Sequence, residues 1–148
     1  MSNLVPEGLR RLVIARADHL CEYCLIHEDD AVFGCQVDHV ISRKHNGPTE
    51  LGNLAYACCL CNRRKGADVG SIHWETGEFI RLFSPRRDRW AQHFRLRGAE
   101  ILPISPVGEV TVRLLGLDDS DSVRERRLLI AIGKYPTMAA LARILGTS

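Results

Sequence analysis

Two cysteine pairs of equal spacing constrain this chain more than any other feature. Cys21 and Cys24 form one C-x2-C pair, and Cys58 and Cys61 form a second within the run CCLC. Two residues between ligands let a tight turn direct both thiolates at one ion, so two such pairs predict a tetrahedral four-cysteine zinc site. Because four thiolates leave no open coordination position, we expect this zinc to stabilise the fold without taking part in catalysis.

The alternatives for these cysteines are a redox pair or unligated core residues. A redox C-x-x-C is expected beside a thioredoxin-like βαβ pattern, which the sequence lacks. Of the other two cysteines, Cys59 should point away from the ion into the core, and Cys35 should be a small buried residue on a strand. The 33 residues between Cys24 and Cys58 exceed the usual zinc-ribbon gap of roughly 15–20, which predicts an inserted strand and loop over 33–53.

Length and composition predict one globular domain in a reducing compartment. The chain has 148 residues, of which 45% are hydrophobic and 26% charged. Its apolar runs are shorter than the roughly 20 residues of a membrane span. The N-terminal sequence lacks the pattern of a signal peptide, so we expect a cytoplasmic protein without a membrane partner, whose thiols stay reduced.

The net charge of +2 conceals a basic middle third. Residues 1–42 carry three cations and seven acids, whereas residues 43–97 carry eleven cations and five acids. A face that binds a polyanion needs this kind of excess, although solvated surface arginines would produce the same count. The candidate phosphate contacts are Arg43, Lys44, Arg63, Arg64, Lys65, Arg86 and Arg87.

Local patterns predict a mixture of helices and short strands. In the first half they indicate a helix over 6–17, a strand over 33–41, a loop over 42–52, a strand over 53–57 and a helix over 60–65 that ends at Gly66. In the second half they indicate a hairpin of 72–74 and 78–83, a helix over 86–93, paired strands over 99–104 and 109–114, a helix from Ser120 or Asp121 to Ile132, and a last helix or frayed tail over 137–145. Trp74 and Trp90 are expected in the core.

The segment between the cysteine pairs carries a second ordered set of polar residues. After the first pair come Asp38-His39 and Asn53, and the second pair is followed at once by Asn62. This order resembles the HNH endonuclease superfamily in its zinc-stabilised form, whose catalytic core is a ββα-metal motif. The resemblance covers Cys21–Gly66, which is less than a third of the chain.

The resemblance implies a role for each of these residues. His39 corresponds to the general base that activates water for attack on a phosphodiester, and Asn53 to the residue that braces the histidine loop. Asn62 stands where the family often has histidine. Together with Asp38 it would hold the catalytic divalent ion.

The residue chemistry is consistent with these roles. Phosphodiester hydrolysis needs an activated nucleophile and stabilisation of developing negative charge, which an imidazole and a hard cation supply. The oxygen donors of Asp38 and Asn62 favour Mg²⁺ or Mn²⁺. Adjacent residues of a regular strand face opposite ways, so Asp38 and His39 can share a site only if the strand ends or bulges there. We therefore expect the chain to leave the ladder at about residue 39.

Together these observations predict an α+β protein with a ββα-metal core held by a four-cysteine zinc site. Residues 1–70 would form the nuclease core, and residues 71–148 a β-rich extension and C-terminal helix packed into the same globular unit. The predicted function is metal-dependent cleavage of DNA. The alternatives are a zinc-knuckle module that binds nucleic acid without catalysis, and a nuclease of the same motif that acts on RNA.

Some residues carry no assigned role at this stage. Residues 71–148 are candidates for a substrate platform, a homodimer contact or a protein-partner surface. His45 lies in the predicted loop, where a solvated side chain is favoured over a phosphate contact. The remaining histidines belong to no motif and are expected to be structural or surface residues: His19, His27, His73 and His93.

Overall fold

The computed structural model describes residues 5–147. Residues 1–4 and 148 lie outside the described residues, and with them the start of the predicted segment 1–70, the end of the segment 71–148 and part of the N-terminal sequence considered for a signal peptide. The helices are α1 Glu7–Arg16, α2 Cys59–Lys65, α3 Trp90–His93, α4 Pro106–Leu115, α5 Ser120–Ala131 and α6 Met138–Leu145. The strands are β1 Cys35–His39, β2 Leu54–Cys58, β3 Gly70–His73, β4 Glu78–Arg81, β5 Phe94–Arg97 and β6 Glu100–Pro103. They form three separate two-stranded antiparallel sheets, so the α+β fold class is confirmed.

The first sheet and the helix after it form a ββα unit. β1 pairs with β2 from Cys35 opposite Cys58 to His39 opposite Leu54. α2 follows β2 without a linker, because the Sγ of Cys58 accepts a hydrogen bond from the Cys61 N–H and so caps the helix. α2 ends at Lys65 and is capped by Gly66, whose φ of 51° lies in the left-handed region that favours glycine.

The outer edge of β2 is closed by side chains and by a loop. The carbonyl oxygen of Leu54 accepts hydrogen bonds from Arg16 at 2.7 Å and from Arg86 at 3.0 Å. Tyr56 donates its N–H to a carboxylate oxygen of Glu22 and accepts from the Glu22 N–H, at 2.9 and 2.8 Å. A second oxygen of Glu22 pairs with Arg86, so one buried ion pair connects residues far apart in the sequence.

The two predicted segments share one apolar core. Its buried members include Leu20, Tyr23 and Cys58 from the first segment, and Phe94, Ile101, Val110, Leu115 and Tyr135 from the second. A smaller cluster joins α1 to β2 through Val13, Ala17, Leu54 and Tyr56. Across residues 5–147, no helix is long and apolar enough to span a bilayer.

The predicted strand over 109–114 is wrong, because these residues lie inside α4. Ser105 caps that helix by accepting the Gly108 N–H at 2.9 Å, and Pro106 occupies its first turn. These start signals override the alternating apolar pattern. The strand that pairs with β6 is instead β5, which the sequence analysis did not anticipate.

Two further predictions differ from the structure. The helix predicted from residue 86 begins at Trp90, because Asp88 accepts the Ser84 N–H and holds the preceding residues in a turn. Trp74 is 78% exposed at the end of the β3–β4 hairpin rather than in the core, whereas Trp90 is buried as expected. Of the two alternatives predicted for residues 137–145, the structure shows the helix, whose first turn is capped by Thr137.

Candidate functional site

The four cysteines of the two pairs lie together in the core. Their Sγ atoms are all within 4.8 Å of one another, and those of Cys24 and Cys58 are 3.9 Å apart. Zinc bound by four thiolates at about 2.3 Å spaces the sulfur atoms by about 3.8 Å. All four side chains are buried, so the cluster is compatible with a structural zinc ion.

The extension holds the first cysteine turn in place. Cys21 donates its N–H to the carbonyl of Ile26, and Leu25 closes the turn onto the Cys21 carbonyl at 2.9 Å. The Tyr135 hydroxyl donates to the Cys24 carbonyl at 2.8 Å, and the Trp90 indole N–H donates to the Tyr23 carbonyl at 2.9 Å. The turn that carries Cys21 and Cys24 is therefore held by residues on both sides of residue 70.

The two remaining cysteines do not belong to the cluster. Cys35 is half-buried on β1, and burial raises the pKa of its thiol, with the charges of Cys21 and Cys58 acting in the same direction. The prediction that Cys59 points into the core is wrong. It lies partly exposed at the start of α2, where the guanidinium of Arg63 is 3.8 Å from its Sγ.

Asp38 and His39 lie where β1 ends. His39 is the last residue of the ladder, and the next contact runs from the Val40 N–H to the Asn53 carbonyl at 2.8 Å. The expected departure at residue 39 is therefore observed. The His39 side chain is only 4% exposed, and its Nε2 lies 2.8 Å from the Oγ1 of Thr49.

Asn53 closes the loop that follows His39. Its Oδ1 accepts the Ile41 N–H, and its Nδ2 donates to the carbonyls of Ile41 and Pro48, all at 2.9 Å. Gly47 packs so tightly inside this loop that a Cβ there would lie 1.7 Å from the Ile41 carbonyl oxygen. Asn53, itself buried, thus connects the two ends of this loop.

Lys65 brings a buried positive charge to the end of β1. Its Nζ donates to the His39 carbonyl at 3.3 Å, and its side chain is 2% exposed. Burial lowers the pKa of Lys65, while the carboxylates of Asp38 and Asp68 oppose that shift.

Asp38 and His39 each respond to this charge. Burial raises the pKa of Asp38, against the opposing effects of the Lys65 ammonium, the His39 backbone N–H and the His39 imidazole. Burial lowers the pKa of His39; Asp38 opposes the shift, and the charges of Arg43 and Lys65 add to it. The structure therefore places Asp38, His39 and Lys65 in one electrostatic group.

Asn62 lies on α2, directly after the last cysteine of the cluster. α2 packs against β1, the strand that carries Asp38 and His39. The Asn62 side chain is half-buried and makes no hydrogen bond within residues 5–147, while its main-chain carbonyl accepts the Gly66 N–H. Its amide is therefore open to a ligand.

The predicted phosphate contacts fall into two groups. Arg43, Lys44, Arg63 and Arg87 are exposed. The other three side chains are engaged inside the protein: Arg64 with the carbonyls of Leu115 and Gly116 and with Asp119, Lys65 with His39, and Arg86 with Leu54 and Glu22. Only the exposed group has charge available to a ligand.

Thr49 is the site residue that sequence reasoning missed. Its Oγ1 lies 2.8 Å from His39 Nε2 and accepts a hydrogen bond from Arg43 at 3.1 Å. A threonine ten residues after a histidine carries no recognisable spacing signal. Its contact arises only when the loop folds back on Asn53.

The comparison with known families agrees with this geometry. The family model described as HNH endonuclease matches residues 21–68, which contain the four-cysteine cluster, Asp38-His39, Asn53 and Asn62. No curated protein and no solved structure matches the chain. Residues 21–68 of this protein, less than a third of the chain, are therefore similar to the HNH endonuclease family.

Proposed function

We propose that this protein is a metal-dependent endonuclease that hydrolyses phosphodiester bonds in DNA. His39 acts as the general base, and Asp38 and Asn62 hold the catalytic divalent ion. The observation that carries the proposal is the position of Asp38 and His39 at the end of β1. The loop that follows His39 is closed by three hydrogen bonds from Asn53.

The contacts of the imidazole suit a general base. Thr49 Oγ1 can accept from the Arg43 guanidinium and from a His39 Nε2–H at the same time, since a hydroxyl oxygen has two lone pairs. In that tautomer Nδ1 carries no proton and is the nitrogen that accepts one from an attacking water. Thr49 and Arg43 thus act as positioning residues.

The donor atoms suit a hard divalent cation. Asp38 and Asn62 both offer oxygen, and Mg²⁺ or Mn²⁺ is commonly held by one or two protein oxygens together with water and substrate phosphate. When bound, such an ion stabilises negative charge on the phosphate and on the leaving oxygen. Lys65, beside Asp38, adds a further positive charge from the protein.

The exposed cations support a nucleic acid as substrate. Nucleases of the HNH family act on nucleic acids. Arg43 and Arg63 flank the proposed site in sequence, and cations at such positions neutralise backbone phosphates without reading base sequence. We favour DNA over RNA, and a cytoplasmic location in which the four thiolates stay reduced. We further propose that residues 1–70 and 71–148 work as one unit, with the extension supporting the zinc site.

A non-catalytic nucleic-acid-binding module is the second candidate. The observation that favours it is the position of the Lys65 ammonium near Asp38. The ammonium balances part of the negative charge with which Asp38 would attract a metal ion. In this case the exposed cations would bind nucleic acid, the buried cysteine cluster would only stabilise the fold, and the site at His39 would cleave nothing.

Plasmid cleavage separates the two candidates. Purified protein is incubated with supercoiled plasmid and Mg²⁺ or Mn²⁺, with and without EDTA. We expect metal-dependent cleavage that His39→Ala reduces by about 10²–10⁴-fold with zinc content and DNA affinity retained. His45→Ala is the matched control, because that exposed histidine lies in the same loop. Cleavage by His39→Ala at the parent rate, or no cleavage by the folded parent, would refute the nuclease proposal.

A further inference from the structure

We propose that His73, Glu75 and Glu109 form a second metal site, which takes a divalent transition-metal ion such as Zn²⁺ and joins the β3–β4 hairpin to α4. His73 ends β3, Glu75 lies in the turn of that hairpin, and Glu109 lies in the first turns of α4. The site shares no residue with the cysteine cluster or with the proposed catalytic residues.

The ligand atoms have the spacing that an ion requires. The His73 Nε2 lies 2.6 Å from a Glu109 carboxylate oxygen and 3.9 Å from a Glu75 carboxylate oxygen. One atom from each of the three side chains falls within 4.8 Å of the other two. A tetrahedral ion with ligands at about 2.0–2.1 Å separates them by about 3.3 Å, so shifts of less than about 1 Å would complete the site.

Charge favours a cation at this position. In the described part of the chain, neither Glu75 nor Glu109 forms an ion pair with lysine or arginine, and the partner of both is His73. Arg113, one turn after Glu109, donates to the Ile72 carbonyl instead. With a neutral imidazole the cluster carries two negative charges, which a divalent ion would balance.

The histidine is oriented as metal-bound histidines are. Its side chain is 8% exposed, and the nitrogen that does not face the carboxylates, Nδ1, lies 3.2 Å from the Thr76 Oγ1. Metal-bound imidazoles almost always use their second nitrogen in a hydrogen bond of this kind, which fixes the ring. Thr76 in turn accepts the Glu78 N–H, so the hairpin turn itself holds the imidazole.

The donor set indicates the kind of ion. One imidazole nitrogen and two carboxylate oxygens suit zinc and related first-row ions, whereas Mg²⁺ prefers oxygen alone. Three protein ligands leave a fourth position for water. The proposed role of the ion is structural: it ties an exposed hairpin to a helix of the core.

Zinc titration tests the site independently of nuclease activity. The full chain carrying Asp38→Ala, which removes a ligand of the proposed catalytic ion, is first loaded with one zinc per molecule. A second equivalent is then measured by calorimetry and native mass spectrometry. We expect a second zinc to bind, and Glu109→Gln or Glu75→Gln to weaken that binding by about tenfold or more, since even the loss of a second-shell partner costs 10–100-fold.

Two controls make the result decisive. Glu78→Gln removes the same charge from the same hairpin but lies outside the cluster, so it should bind the second zinc as tightly as the parent. Because Glu75 is 81% exposed, its variant should fold even if a change at buried His73 does not. The proposal would be overturned if no second zinc bound, or if Glu109→Gln and Glu75→Gln both bound it as tightly as the parent. His73 and Glu109 would then form only a hydrogen bond between the hairpin and α4.

Discussion

Asn53 pairs with both backbone groups of Ile41, accepting its N–H and donating to its carbonyl at 2.9 Å each. One side chain thereby takes the place of a strand partner just beyond the end of the β1–β2 ladder. The loop that leaves His39 is anchored by this contact and by the third hydrogen bond of Asn53, to Pro48.

Asn53→Ala should therefore weaken both the fold and the proposed activity. The three part-buried hydrogen bonds of Asn53 contribute about 0.5–1.5 kcal/mol each, so we expect the unfolding free energy to fall by at least the contribution of one such bond. Cleavage should decrease less than in His39→Ala, because the base itself remains. Urea unfolding and plasmid cleavage measure the two effects, with Gln36→Ala, exposed on β1, as the control. Parent-like stability would show that these hydrogen bonds do not brace the loop.

The cysteine cluster should determine whether the chain folds. Structural zinc contributes roughly 10–16 kcal/mol in small sites, which equals or exceeds the whole stability of a domain. Cys24→Ser and Cys61→Ser should therefore give unfolded or insoluble protein, whereas Cys59→Ala should remain folded because that side chain is partly exposed. Zinc content and circular dichroism report the result. A folded, zinc-free parent would contradict a structural zinc site.

Changes at the proposed metal ligands should alter the metal requirement of cleavage. Asp38→Ala and Asn62→Ala remove ligand atoms but keep the base, so the Mg²⁺ concentration for half-maximal cleavage should rise. The matched control is Asp68→Asn, which removes an exposed carboxylate that also acts on Lys65. Unchanged metal curves for both ligand variants would mean that the ion binds elsewhere.

The exposed cations should set the salt dependence of DNA binding. Each lost phosphate contact lowers the salt slope by about one unit, with little change in sequence preference. We expect this for Arg63→Ala and Arg87→Ala, measured at several salt concentrations. Arg124→Ala, on the exposed side of α5, should leave the slope unchanged. If Arg63→Ala and Arg87→Ala, like the Arg124→Ala control, kept the salt slope of the parent protein, the nucleic acid would bind on another face.

Asp88 should make stability depend on pH in the acid range. Burial raises its pKa, but Arg81, the Ser84 N–H and the charge on His93 outweigh that effect and hold the pKa below its ordinary value. A carboxylate with a lowered folded pKa stabilises the protein above its unfolded pKa of about 3.9, and this contribution is lost as pH falls through the folded value.

Asp88→Asn tests that sign. At pH 7 it should cost about 1.5–3 kcal/mol, the worth of hydrogen bonds to a charged group. The difference from the parent should shrink below about pH 4. Denaturant unfolding at several pH values gives the comparison, and Asp121→Asn, whose carboxylate is 86% exposed, is the control. A difference that stays constant down to pH 2 would exclude the ionic origin.

The parts predicted correctly from sequence are those encoded by short spacings. The two C-x2-C pairs, the short helix that contains Cys61 and the end of β1 at His39 all depend on neighbouring residues. The strand predicted over 109–114 is wrong for a local reason. The apolar residues alternate as in a strand, but Ser105 and Pro106 start a helix just before them.

Long-range contacts account for the rest. Lys65 reaches the carbonyl of a residue 26 positions away, and Arg64 reaches one 51 positions away. Such cations look like surface charges in a sequence, since backbone carbonyls leave no residue signature. The burial of Lys65 and the contacts of Arg64 therefore follow from the three-dimensional fold and not from the local sequence.

The closed outer edge of β2 has a consequence for how copies of this protein meet. A two-stranded sheet normally presents unpaired N–H and C=O groups along its edge, and these invite a strand from another molecule. Here the outward groups of Leu54 and Tyr56 are already taken by Arg16, Arg86 and Glu22. These contacts hinder a foreign strand from pairing with β2 at Leu54 and Tyr56. Arg86, which resembled a phosphate contact in the sequence, therefore helps to protect this edge of the sheet.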